Sequence, residues 1–250
     1  MNDRREVLSL ASAGLLLAAC RKGATLSPEP SPSSVASSTM TNGASASKKA
    51  GAEEVGATED LMREHGVIRR LLVVYREAAT RLRATPAMVP PEALQRAAML
   101  VRSFGEDYHE KQLEEANIFP ALTRGAGPLV GTVEALAAQH QRGREITDYV
   151  LAVTHKAIGA HDAEPLARAL ETFARMYDEH TAIEDTLVFP KWKKVLTPRE
   201  LDEMSDLFEE IEHKNFGKDG FDEAVGQVAA IEQSLGIGLA ALTAPAPPRS

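Results

Sequence analysis

Apolar residues recur at steps of three and four along most of the chain, which is the spacing of one face of an α-helix. Leu61, His65, Ile68, Leu72, Tyr75, Ala79 and Leu82 line up in this way and predict a first helix from about Thr58 to Ala84. A second stripe, Leu94, Ala97, Val101, Phe104 and Tyr108, follows Pro90-Pro91 and predicts a helix to about Leu122. Gly125-Ala126-Gly127-Pro128 then breaks the pattern. Leu129, Val133, Leu136, His140 and Val150 mark a third helix to about Ile158, and Leu166, Leu170, Phe173, Tyr177, His180, Glu184 and Leu187 mark a fourth from Ala163 to Val195. Long amphipathic helices joined by short loops pack as antiparallel neighbours. The expected fold is therefore all-α, an up-down-up-down four-helix bundle over residues 57–196.

The flanks read differently. Thr197-Pro198-Arg199-Glu200 combines a capping box with proline at the first helical position. It opens a helix to about Lys214, and after Gly217-Lys218-Asp219-Gly220 a last helix reaches about Leu235. This pair, within residues 197–238, is expected to be an appendage without chemistry of its own, followed by a flexible tail over 239–250. Residues 21–56 are rich in Ser, Ala, Pro, Thr and Gly and carry almost no large apolar residue, so they read as a flexible tether. Ahead of them, Val7 to Ala19 is an apolar run too short to span a bilayer, which needs about 20 residues. A charged start precedes it, as in a signal peptide.

Composition narrows the function classes. Ala, Leu, Glu and Arg dominate, and aromatic residues make up 5% of the chain, in keeping with helix. With 36 acidic against 28 basic residues the net charge is −8, which leaves no basic stripe for nucleic acid. The single cysteine, Cys20, excludes a disulfide framework, a zinc ribbon and a thiolate-held iron–sulfur cluster. Its position ends residues 1–20 with Leu17-Ala18-Ala19-Cys20, which resembles a bacterial lipobox, and Arg4-Arg5 before the apolar run resembles a twin-arginine export signal. Those resemblances imply lipidation at Cys20 and an exported protein anchored at the cell envelope, facing the periplasm or the outside.

The seven histidines carry the chemistry. In the expected bundle His65, His109, His140 and His180 lie at nearly equal distances from the loops that join their helices. Each helix therefore offers one imidazole to the same layer. Four neutral imidazoles in a core without a metal or an acid leave costly unsatisfied groups, and a metal site removes that cost. Glu184 lies four residues after His180, about 40° away on the same face. Glu114 lies five after His109, about 140° away on an ideal helix. Either a π-bulge near Gln112 absorbs the extra residue, or Glu110 supplies a carboxylate. Glu115 and Asp185 read as solvated or outer groups, with Asp185 a possible substitute for Glu184. An internal echo joins the two halves: Glu114-Glu115-Ala116-Asn117-Ile118-Phe119-Pro120 matches Glu184-Asp185-Thr186-Leu187-Val188-Phe189-Pro190. Tyr108, Tyr149 and Tyr177 are candidates to orient the imidazoles, whereas His155, His161 and His213 stand outside the layer.

In combination these residues resemble the hemerythrin-like, or HHE cation-binding, domain over about residues 58–195. The matching pieces are Glu64-His65, His109 with Glu114-Glu115 and Ile118-Phe119-Pro120, His140, and His180 with Glu184-Asp185 and Val188-Phe189-Pro190. The resemblance implies a non-haem di-iron centre with His65, His109, His140 and His180 as terminal ligands and Glu114 and Glu184 as bridges. Two departures stand out. Arg144 occupies the place of the second helix-three histidine of oxygen-carrying members, and the His109–Glu114 spacing is one residue longer than usual. An imidazole and carboxylate set also suits zinc, manganese or copper. Three function classes follow: a protein that binds or senses O2, NO or peroxide or stores iron, a di-iron oxidase or peroxidase, and a structural bundle with a zinc or vestigial site.

Overall fold

The first stripe is buried along its length and forms one face of α1 (Ala57–Ala84). Glu59 and Asp60 in its first turn and Arg81 and Arg83 in its last complement the helix dipole. A computed structural model describes residues 55–124, 127–217 and 219–248, and all regular structure among them is helical. The lipobox with Cys20, the export signal and nearly all of the tether lie outside the described residues. No helix among the described residues is long and apolar enough to cross a membrane.

The second long helix is composite. It begins as α2 (Pro91–Leu100), with proline at its start where no N–H is needed. It continues as a π-helical segment over Val101–Ile118 and returns to α-helical form in α3 (Phe119–Thr123). After α4 (Val130–Thr154) and α5 (Ala160–Ile183), a second and shorter π segment covers Glu184–Val188, followed by α6 (Phe189–Val195). Pro120 and Pro190 do not stop the chain. Each stands at the start of the new α-helix, where its missing N–H is harmless.

α1 packs along α5, α5 along α4, α4 along α2 and the first π segment, and that segment closes back on α1. Their buried faces meet in one core that includes Leu61, Tyr75, Phe104, Leu136, Leu170 and Phe189. α7 (Pro198–Phe216) starts with the expected capping box, Thr197 with Glu200. α8 (Gly220–Ser234) follows it, and a short α9 covers Leu239–Leu242 in the stretch expected to be a tail. The α7–α8 pair packs on α1 and the second long helix, and its Phe208, Val228 and Ile231 belong to the same core.

A candidate metal centre built from two equivalent halves

The four histidines of the expected layer are all at most 2% exposed and meet in the middle of the bundle. α1 supplies His65, the first π segment His109, α4 His140 and α5 His180. They meet in pairs. The Nε2 atoms of His65 and His109 are 3.0 Å apart, and so are those of His140 and His180. Two carboxylates at 0% exposure stand between the pairs, Glu114 from the second helix and Glu184 from the fourth. Glu114 places Oε1 3.4 Å from His109 Nε2 and Oε2 3.3 Å from His140 Nε2, one oxygen toward each pair. Glu184 places Oε2 3.5 Å from His65 Nε2 and 3.1 Å from His180 Nε2.

The π geometry explains how Glu114 reaches this point. Bonding from i to i+5 stacks residues five apart on one face, so His109 and Glu114 converge. The segment is far longer than a single bulge at Gln112. In the fourth helix the spacing of four suffices, since His180 and Glu184 follow ordinary α-helical turns.

Outward-facing Nδ1 atoms fix the tautomers. His65 Nδ1 lies 2.7 Å from Asp185 Oδ1, His109 Nδ1 2.5 Å from Glu64 Oε2, His140 Nδ1 2.8 Å from Glu115 Oε1 and His180 Nδ1 2.9 Å from Gln139 Oε1. Carboxylate and amide oxygens only accept, so each Nδ1 donates and each Nε2 turns its lone pair to the centre. The echoed segments act alike here. The first residue (Glu114, Glu184) points inward, and the next (Glu115, Asp185) holds a histidine of a neighbouring helix. The phenylalanine then stacks on that same ring, Phe119 on His140 at 5.5 Å and Phe189 on His65 at 5.3 Å.

Each half also has its own arginine. Arg144 donates to Glu115 at 2.5 Å and to Glu110 at 3.2 Å, and Arg69 donates to Asp185. Arg69 follows His65, and Arg144 follows His140, by one turn each. Arg144 is thus the counterpart of Arg69, a cation that steadies the carboxylate behind a histidine. One position breaks the symmetry: Glu64 before His65 is matched by the neutral Gln139 before His140.

Of the surplus acids, Glu115 and Asp185 face the outer nitrogens, so Asp185 does not stand in for Glu184. Glu110 accepts from Tyr177 at 2.6 Å, with its other oxygen 4.0 Å from His140 Nδ1. Tyr108 donates to Glu64 at 2.7 Å. Tyr149 lies at the surface, 37% exposed, away from the role considered for it. His155, His161 and His213 are exposed. Glu64, Gln139 and Arg69 carry roles that periodicity does not show. Their signal is the repeated pattern acid-or-amide, His, three residues, Arg on the first and third helices.

The donor set fits cations. All four oxygens of Glu114 and Glu184 are buried without a hydrogen-bond partner. Orphaned buried carboxylates cost several kcal/mol in order of magnitude, and a coordinated cation removes that cost. Three-residue and four-residue donor groups form on both sides, His65, His109 and Glu114 on one and Glu114, His140, His180 and Glu184 on the other. Protein charges alone leave the site in tension. Burial lowers His109, but Glu114 and Glu64 outweigh it and raise its pKa well above the ordinary value. Burial also opposes the charge on His140, yet Glu110, Glu114 and Glu115 push that group to about 10. Burial and the neighbouring His140 press His180 down to about 4. Burial works against Glu114 too, but His109 and His140 hold it well below the carboxylate range, whereas burial and Glu114 drive Glu184 well above it. A cation between these groups reverses that logic. A cleft of about 380 Å³ is lined by Leu136 and Gln139 of α4, His180 and Ile183 of α5 and Leu187 of the second π segment.

Comparison with known proteins agrees with this geometry. The family model described as "Hemerythrin HHE cation binding domain" matches residues 56–192. Two uncharacterized proteins, from Mycobacterium bovis and Mycobacterium tuberculosis, are each 47% identical to the chain over 186 residues, covering 73% of it and 71% of their own length. No solved structure matches.

Proposed function

The chain belongs to the hemerythrin HHE cation-binding family, and we propose that it holds a non-haem di-iron centre that binds or senses O2, NO or peroxide, or stores iron, at the cell envelope. The observation that carries the reading is the pair of buried carboxylates, Glu114 and Glu184, whose oxygens lack hydrogen-bond partners and which stand among four imidazole Nε2 atoms. His65 and His109 would hold one ion, His140 and His180 the other, with Glu114 and Glu184 shared between them. Iron follows from the family rather than from the donors, which also accept zinc or manganese. Bound there, iron supplies a redox-active centre with affinity for small diatomic ligands and peroxide. The residues around it set orientation and charge: Glu64, Glu115, Asp185 and Gln139 fix the imidazoles, and Phe119 and Phe189 keep water from the rings. Short connections between successive long helices favour the up-down-up-down order.

Export rests on the sequence of the first twenty residues. The apolar run ending at Cys20 and the preceding Arg4-Arg5 support a lipid anchor placed after translocation.

The test is direct. The protein is loaded with iron(II) without oxygen, metal per chain is measured, and absorption is recorded on adding O2, azide, peroxide and NO. New ligand bands with slow turnover support binding, and catalytic loss of peroxide supports an oxidase or peroxidase instead. Zinc alone or no metal refutes the di-iron reading. For the anchor, labelled fatty acid is expected in the wild type and absent in Cys20→Ser.

A further inference from the structure

We propose that α7, which lies beyond the family match at residues 56–192, is a clamp that positions the metal donors of the first π segment. Two separate contacts reach the site from it. In the first, Asn215 and Gln112 exchange amide hydrogen bonds, each at 3.0 Å. Gln112 lies between His109 and Glu114 in sequence, and its Nε2 also donates to the carbonyl of Asp107 five residues back, at 2.7 Å. Asn117 repeats that reach by donating to the carbonyl of Gln112 at 2.7 Å. Side-chain bonds spanning five residues are suited to i-to-i+5 register, and Asn215 holds the amide that makes one of them. Its own Nδ2 is anchored on the carbonyl of Ile211 at 2.7 Å, so the hold comes from a fixed point on α7.

In the second contact, Phe216 meets Tyr108 edge to face, with ring centroids 5.2 Å apart, and also touches Phe104 at 6.0 Å. Tyr108 donates to Glu64, and Glu64 accepts from His109 Nδ1. A chain of direct contacts thus runs from Phe216 through Tyr108 and Glu64 to an imidazole of the centre.

A long π-helical stretch is an unusual conformation that needs outside support. Without it, residues 101–118 gain by relaxing to α-helical register. That change rotates Glu114 away from His109, because five residues on an α-helix turn through about 140° beyond a full turn. The clamp therefore acts on metal binding by holding His109 and Glu114 on one face. Gln112 and Asn215 are positioning residues, which touch no metal donor themselves.

The inference rests on the metal reading but is tested separately from it. Asn215 is exposed, so Asn215→Ala removes the amide pair with little change in packing. Full-chain wild type, Asn215→Ala, Gln112→Ala and the double variant are compared in three ways. Dissociation constants for iron(II) are measured anaerobically by chelator competition, the visible bands of added cobalt(II) are recorded, and amide hydrogen exchange is followed on metal-free protein. Each single variant is expected to weaken metal binding about 10- to 100-fold, the range for residues that orient metal ligands. The double variant should be no weaker than the worse single one. The cobalt bands should shift, and exchange should quicken in residues 101–118 while α4 and α5 keep theirs. Unchanged metal affinity and cobalt bands, with only a lower melting temperature, would overturn the clamp. If the wild type binds no metal, the functional reading falls, and exchange still decides the clamp: local quickening at 101–118 supports it and unchanged exchange there refutes it.

Discussion

Glu184→Gln should stabilise the metal-free protein and weaken metal binding at the same time. Glu184 is fully buried, its oxygens have no partner, and burial with the nearby Glu114 drives its pKa well above the usual value of 4.5. Folding therefore works against the charge of a carboxyl that is ionised in the unfolded chain at neutral pH. A buried charged group left without a partner costs at least about 1–3 kcal/mol. Glutamine is neutral throughout and avoids the part of that cost that comes from charge, while its amide stays buried. The net gain is on the order of 1 kcal/mol, or roughly 2–4 °C in a domain of this size. The difference depends on pH. A raised folded pKa means the folded state binds more protons above pH 4.5, so wild-type stability falls and the advantage of the variant grows as pH rises above that value. With metal the order inverts, because the variant has lost an anionic donor shared by both halves. Affinity should fall at least about 100-fold, beyond the usual effect of residues that only orient ligands. Thermal melts in chelator across pH, together with metal titration, measure both sides. A variant less stable at every pH that binds metal like the wild type would refute the reasoning and make Glu184 a structural acceptor.

Other outcomes follow from the same geometry. His109→Ala should abolish tight metal binding, whereas the exposed His155→Ala should leave metal content unchanged, as elemental analysis of the two proteins would show. Gly143→Ala should destabilise by about 1–3 kcal/mol despite the better helix propensity of alanine, because the new Cβ would stand 2.1 Å from Tyr177 Oη; melting temperature and iron affinity check it. Burial and Glu64 raise Asp60 to about 6, so its charge opposes folding at neutral pH. Asp60→Asn should add about 1 kcal/mol above pH 6, allowing for solvent screening, and nothing well below pH 3.8, where the wild-type residue is protonated in both states. Denaturant midpoints across that range read the difference.

Much of the site is legible in the sequence because it is built from periodic helices. His65, His109, His140 and His180 fall at one level once the loops are placed, and the repeat ending in Phe119-Pro120 and Phe189-Pro190 points to paired carboxylates. The spacing of His109 and Glu114 already demands a register change, and the structure supplies it over the whole of Val101–Ile118. Contacts across helices are what the sequence hides. Nothing local tells that Glu64 serves His109 on another helix, or that Asp185 serves His65 across the bundle. Arg144 reads as a lost histidine until its partner Glu115 is seen, and Arg69 with Asp185 shows the same arrangement on the other side. The C-terminal pair reads as an appendage because its capping box and stripe are self-sufficient. Its contacts with Gln112 and Tyr108 exist only in three dimensions.

The proposed centre is two cations held between Glu114 and Glu184. Its most direct test is equilibrium loading of the protein with iron(II), excluding oxygen, followed by elemental analysis after removal of loosely bound metal. The predicted result is two irons per chain in the wild type and a marked loss in His109→Ala and His180→Ala. No retained metal, or the same metal content in wild type and both variants, would contradict it.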